Sequence, residues 1–208
     1  MKIESQFHLI YGRIQMSKVE MWFPVAIYRQ DGIITREQND ILRQHCLSIQ
    51  KNTPTGGAEW LGATYNTHQT HDLSTDIEFG PVLDAVTHHV HEFAKLHNCN
   101  MTYYNSYAWM NIAEGTAWQE FHTHNNNIFS AVYYVDAPEG SGKIIFEDPK
   151  EPDMMPLKTI GNRNHLRYTR ISYTPEPGTL LIFRSYLRHC VEPGTNKTPR
   201  ISIAMNFN

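Results

Sequence analysis

After Cys99 the hydrophobic period of the chain becomes two, and short alternating runs separated by turn signals continue to the last residue. This pattern excludes a helical bundle and demands a sheet that closes on itself or on a second sheet. Strands are expected over 101–112, 128–135, 143–146, 167–173, 179–183, 188–191 and 200–207. The turns between them are marked by Ala137-Pro138-Glu139-Gly140, Pro175-Glu176-Pro177-Gly178 and Glu192-Pro193-Gly194. Seven or eight short strands with regular turns predict a mostly β fold, a double-stranded β-helix or jelly roll.

The first half carries the other period. Thr35-Arg36-Glu37-Gln38 has the spacing of a capping box, and Leu42, Cys46 and Ile49 recur on one face, so a helix is expected over 36–50. A second helix starts near Pro81, lines Val82, Val86, Val90 and Phe93 along one side, and ends around His97-Asn98. Both N-terminal helices are expected to pack on one sheet. The apolar run Met21–Tyr28 reads as a further strand, placed at an edge by Pro24. Residues 1–20 read as an extension of uncertain structure, and 21–208 as a single domain.

A chain of 208 residues with a net charge of −3 and no run of lysine or arginine offers no nucleic-acid patch and no basic membrane surface. No apolar stretch approaches the eighteen or so residues of a membrane span. Three scattered cysteines, Cys46, Cys99 and Cys190, argue for reduced thiols. A cytoplasmic protein is expected, and a homodimer is open.

The chemistry lies in the histidines, of which there are twelve. His88, His89 and His91 fall mostly off the apolar face of the second helix and read as solvated. His68 and His71 stand in an irregular segment with Trp60 and Tyr65. They read first as an ordered surface loop and second as the lining of a substrate entrance. His122 and His124 are different. At positions i and i+2 of a strand they share one side and can face one metal ion. His189 opens a later strand and is the best third ligand. Neutral imidazoles suit iron, zinc, copper or nickel, and three protein ligands leave positions open. Arg200 and Ser202 share a face of the last strand. An arginine inside a closed sheet needs a counter-charge, and residues 201–208 contain no acid. Its planar fork suits a bound carboxylate.

From Asn111 to the end the chain resembles the 2-oxoglutarate- and Fe(II)-dependent dioxygenases. The likeness is greatest to the prolyl-hydroxylase-like branch and to an uncharacterised bacterial and phage group. It is carried by Asn111-Ile112-Ala113-Glu114-Gly115, Phe121-His122-Thr123-His124, Ser130-Ala131-Val132-Tyr133-Tyr134-Val135, Gly142-Lys143-Ile144-Ile145-Phe146, Pro177-Gly178-Thr179-Leu180-Leu181-Ile182-Phe183 and His189-Cys190-Val191-Glu192-Pro193 with Arg200-Ile201-Ser202. The resemblance implies Fe(II) as metal, 2-oxoglutarate and O2 as cosubstrates, and hydroxylation of a prime substrate that the sequence does not name. It implies His122 and His189 as metal histidines and Arg200 as the anchor of the distal carboxylate. Tyr134 and Ser202 would be further donors, Asn111 a cosubstrate contact, and Trp109 with Tyr107 a wall of the pocket.

One position departs from that family, whose second ligand is Asp or Glu. Here it is His124. A three-histidine iron site carries one more positive charge than two histidines and a carboxylate. His124 either ligates, stands aside for another ligand, or marks a protein that has lost the chemistry; ligation is favoured by its spacing. Asn125, Asn126 and Asn127 are candidates for orienting the ligands. Three other readings stand beside the oxygenase. A cupin would need a glutamate where this chain has Ile128, and gives Arg200 no role. A non-enzymatic jelly-roll binding protein rests on His124 alone, and a zinc hydrolase lacks an evident general base.

Overall fold

The computed structural model describes residues 3–4, 18–56, 61–99, 105–150, 161 and 165–208. The strands in chain order are β1 (Ile3–Glu4), β2 (Lys18–Val19), β3 (Ile27–Asp31), β4 (Tyr65–Asn66), β5 (Asn105–Ala113), β6 (Gln119–His122), β7 (Phe129–Asp136), β8 (Ile144–Glu147), β9 (Arg170–Tyr173), β10 (Thr179–Arg184), β11 (His189–Val191) and β12 (Arg200–Phe207). Helices α1 (Arg36–Asn52) and α2 (Gly80–Leu96) lie between β3 and β5. Apart from the small β1–β2 pair, the strands form two antiparallel sheets. A six-stranded sheet has the order β3-β10-β7-β12-β5-β4, and a four-stranded sheet the order β6-β11-β8-β9. The expected jelly roll with two helices on one sheet is what the chain adopts.

Local sequence explains both helices. Thr35 accepts from the Gln38 amide, and the Gln38 side chain accepts from the Thr35 amide, so the expected box caps α1. A proline in the first turn opens α2. Their apolar faces, Leu42, Cys46 and Ile49 from α1 and Val82, Val86, Val90 and Phe93 from α2, bury against the outer side of the large sheet. Period-two alternation then divides each strand between two cores. On β12, Ile201, Ile203, Met205 and Phe207 join the helices, while Arg200, Ser202 and Ala204 line the space between the sheets. A smaller apolar cluster of Tyr134, Ile144, Phe146, Leu181, Phe183 and Leu187 fills that inner space.

Two expectations shift. The strand expected at Met21–Tyr28 begins only at Ile27, because Pro24 lacks a donor and Phe23 sits at φ 60°. It is an edge strand, as Pro24 indicated, and among the described residues it pairs only with β10. The strand expected over 167–173 is reduced to β9. Of the strand expected over 101–112, residues 101–104 lie outside the described residues, as does most of the 1–20 extension. Among the described residues, no helix is long and apolar enough to cross a membrane.

Candidate metal centre

The small sheet brings His122 and His189 together. They are direct partners across the β6–β11 pair, with ring centroids 4.3 Å apart. His124 does not continue β6, which ends at His122. Two residues further on, its main-chain N–H donates to the carbonyl of Ser185 at 3.0 Å. Its ring reaches the pair from the loop, 5.1 Å from each of the other two. Each of the three histidines offers a ligand atom, and all three atoms lie within 4.8 Å of one another. The shared face expected from an i, i+2 strand pair is therefore reached by a loop held to Ser185, not by the pleat.

Their protonation suits a cation. Burial holds His122 below its ordinary value, pushes His124 down to about 4, and drives His189 well down, so all three are neutral at pH 7. His122 Nδ1 lies 2.8 Å from the Glu120 carbonyl, and His189 Nδ1 lies 2.9 Å from that of Leu187. A carbonyl only accepts, so both Nδ1 atoms carry the proton and Nε2 is the unprotonated nitrogen of each ring. The donor set fits a first-row divalent ion.

Next to the histidines is a cavity whose walls include Trp109, Asn111, Tyr134, Arg200 and Ser202, the residues singled out from the sequence for the cosubstrate. β12 runs between β7 and β5, and Ser202 faces Tyr134 on one side and Asn111 on the other. Arg200 is 4 % exposed. Its Nη1 donates to the Gly142 carbonyl at 3.0 Å, and its Nε is buried with no partner among the described residues. The Asn111 Oδ1 is buried and unpartnered as well. Burial lowers the Arg200 pKa and pushes Tyr134 up to about 12, so the guanidinium faces a neutral phenol. A buried cation with an idle N–H and no carboxylate costs stability unless an anion joins it.

The sequence left three further residues unmarked. Gln119 also lines the cavity. Gly142, whose carbonyl holds Arg200, packs so closely that a Cβ there would lie 1.9 Å from the Glu192 carbonyl oxygen. Asn206 touches His124 from β12. Of the asparagines suggested from the sequence, Asn125 accepts from Thr123, and the Asn127 amide donates to the Asn125 carbonyl. His68 is closer to the centre than a surface loop requires. Its ring packs against Tyr107 at 4.8 Å and Trp109 at 5.5 Å, and Trp109 stands 5.8 Å from His124. His71 turns away to share Asp76 with His45. Tyr65 donates to the Thr53 carbonyl, and Trp60 lies outside the described residues.

Comparison with known proteins agrees with this geometry. Residues 107–206 match the family described as "Putative 2OG-Fe(II) oxygenase". No curated protein matches by sequence. Among solved structures, the chain is similar to a prolyl-4-hydroxylase of Pseudomonas putida, with TM-score 0.60, 13 % identity, and 88 % of this chain and 92 % of that one covered. It is similar to a prolyl hydroxylase of Trichoplax adhaerens bound to a fragment of hypoxia inducible factor, with TM-score 0.60, 11 % identity and coverages of 87 % and 82 %. HygX of Streptomyces hygroscopicus, solved with nickel and 2-oxoglutarate, gives TM-score 0.61, 11 % identity and coverages of 88 % and 83 %. At these identities the structures speak for the fold.

Proposed function

We propose, from the match of residues 107–206 to the family described as "Putative 2OG-Fe(II) oxygenase", that the chain is an Fe(II)- and 2-oxoglutarate-dependent dioxygenase whose metal is held by His122, His124 and His189. The observation that carries this reading is the buried, half-satisfied Arg200 in the same cavity as three neutral histidines. A cupin gives that arginine no task.

Iron(II) and 2-oxoglutarate, when bound, supply the oxidative decarboxylation of the 2-oxo acid to succinate and CO2, coupled to placing one atom of O2 on the prime substrate. The chain's own residues bind, orient and shield. Arg200 pairs with the distal carboxylate, and its Nη1 bond to Gly142 fixes the plane of the fork. Tyr134, a phenol with its pKa near 12, donates its O–H to the same carboxylate, and Ser202 adds a second hydroxyl. Asn111 and Trp109 line the same cavity and would contact the cosubstrate there. Phe183 and Phe146 pack on His189, at 4.7 and 5.8 Å, and keep water from that side. The shelf of His68, Tyr107 and Trp109 is the side from which the prime substrate reaches the metal. The free state of Cys46, Cys99 and Cys190 supports a reducing, cytoplasmic setting.

Purified protein with Fe(II), 2-oxoglutarate and O2 is expected to release succinate, and anaerobic titration with the two cofactors to give a visible charge-transfer band. A protein that binds Fe(II) but never 2-oxoglutarate defeats the proposal.

A further inference from the structure

His122 and His189 have their ring protons fixed by main-chain carbonyls, whereas His124 does not. Its Nδ1 faces the side-chain amide of Asn206, with Nδ2 at 3.4 Å. The Oδ1 of the same amide accepts from Ser130 at 2.8 Å, and Ser130 Oγ lies 2.8 Å from Ser185 Oγ. Ser130 and Ser185 are each 1 % exposed. Ser185 thus holds His124 twice, by its carbonyl at the main chain and through this row at the ring.

We infer that Asn206 is the positioning residue of His124, and that the row His124–Asn206–Ser130–Ser185 reverses its hydrogen-bond direction when His124 takes a metal. With Nδ2 opposite the ring, the amide N–H can only donate to a lone pair on Nδ1, a pairing that requires the ring proton on Nε2, the nitrogen a metal needs. Ligation through Nε2 requires the proton on Nδ1 and therefore an acceptor opposite it. A half-turn of the Asn206 amide supplies Oδ1 as that acceptor. Nδ2 then donates to Ser130, whose hydroxyl, released from Asn206, donates to Ser185. A hydroxyl both donates and accepts, so the Ser130–Ser185 pair can carry the bond in either direction. The contact at 3.4 Å is longer than the carbonyl contacts of the other two histidines. His124, standing where the family has a carboxylate with no tautomer to choose, is the one ligand that needs such a device.

The inference rests on reading His124 as a ligand, and its test does not need turnover. Nitrogen-15 NMR of the imidazole rings, with and without Zn(II), reads the His124 tautomer directly. The expected result is a proton on Nε2 in the metal-free protein and on Nδ1 once Zn(II) binds. Asn206→Asp, which can only accept, holds Nδ1–H in both states and tightens Zn(II) binding about tenfold. Asn206→Leu weakens it by roughly 10- to 100-fold. In a His124→Asp background Asn206→Leu changes Zn(II) affinity less than about twofold, because a carboxylate has no tautomer. An unchanged His124 tautomer on Zn(II) binding overturns the inference, as does an equal loss from Asn206→Leu in both backgrounds. Should Asn206→Leu not fold, the near-isosteric Asn206→Asp still decides. Failure of the oxygenase reading is a separate result: no succinate from a protein whose row responds to Zn(II) as described.

Discussion

His122 and His189 stand opposite each other across the β6–β11 pair with their rings 4.3 Å apart and their Nδ1 atoms each tied to the carbonyl two residues before. The same local geometry is thus built twice, on facing strands. Because both rings are held by main chain, removing either one leaves the other correctly presented, with His124 as its remaining companion.

His122→Ala or His189→Ala is expected to lower Fe(II) affinity by on the order of 100-fold or more while leaving the fold intact. Equilibrium dialysis with far-ultraviolet circular dichroism checks both halves. His124→Asp, which restores the family's carboxylate, is expected to keep Fe(II) affinity within about tenfold of the parent. A His124→Ala variant with full affinity would remove His124 from the ligand set.

Arg200 gives opposite signs for stability and binding. Arg200→Met replaces a buried cation that has an idle N–H, so the ligand-free protein is expected to be as stable as the parent or up to about 2 kcal/mol more stable. The same variant is expected to lose the rise in Tm that 2-oxoglutarate produces with Zn(II) present. Thermal melts with and without the cosubstrate test both, and a destabilised variant that still answers to 2-oxoglutarate would contradict them.

Gly142→Ala acts on the same arginine from behind. Its Cβ would meet the Glu192 main chain at 1.9 Å, so the backbone carrying the Arg200 acceptor has to move. A loss of about 2 kcal/mol in stability and a weaker Kd for 2-oxoglutarate are expected, measured by denaturant titration and calorimetry.

The buried histidines set an acid limit for the metal-free protein. In the unfolded chain each titrates near 6.5, whereas burial holds His124 at about 4 and His122 and His189 below their ordinary value. As pH falls below about 6.5 the unfolded state binds more protons, so stability falls. Above neutrality these groups add no pH dependence. Tm measured from pH 7.5 to 5 should decline, and less steeply in His124→Gln; equal slopes would sink the assignment.

What could be seen in the sequence was local or strictly periodic. The Thr35–Gln38 box and the alternation on β12 that places Arg200 and Ser202 on one face need no knowledge of distant chain. What could not be seen depended on pairing. β4 is too short to carry a period, and it exists because Tyr65 and Asn66 find Ile112 and Asn111 on β5. Asn206 lies 82 positions from His124, and only the β7–β12 ladder, which sets it beside Ser130, reveals its use. His124 was recognised by spacing but through the wrong geometry, since Ser185 rather than a strand aims it.

The β6–β11 pairing has a consequence for how the chain comes apart. An ion bound by both His122 and His189 is a removable cross-link that closes the chain between those positions. Unlike a disulfide it is lost when the chain unfolds, so it would stabilise the folded state by mass action, by about 2.7 kcal/mol at a free concentration of 100 Kd. Chelation cuts that link without touching a covalent bond. The small sheet, joined at this seam, is then the part of the molecule whose opening rate reports whether metal is aboard.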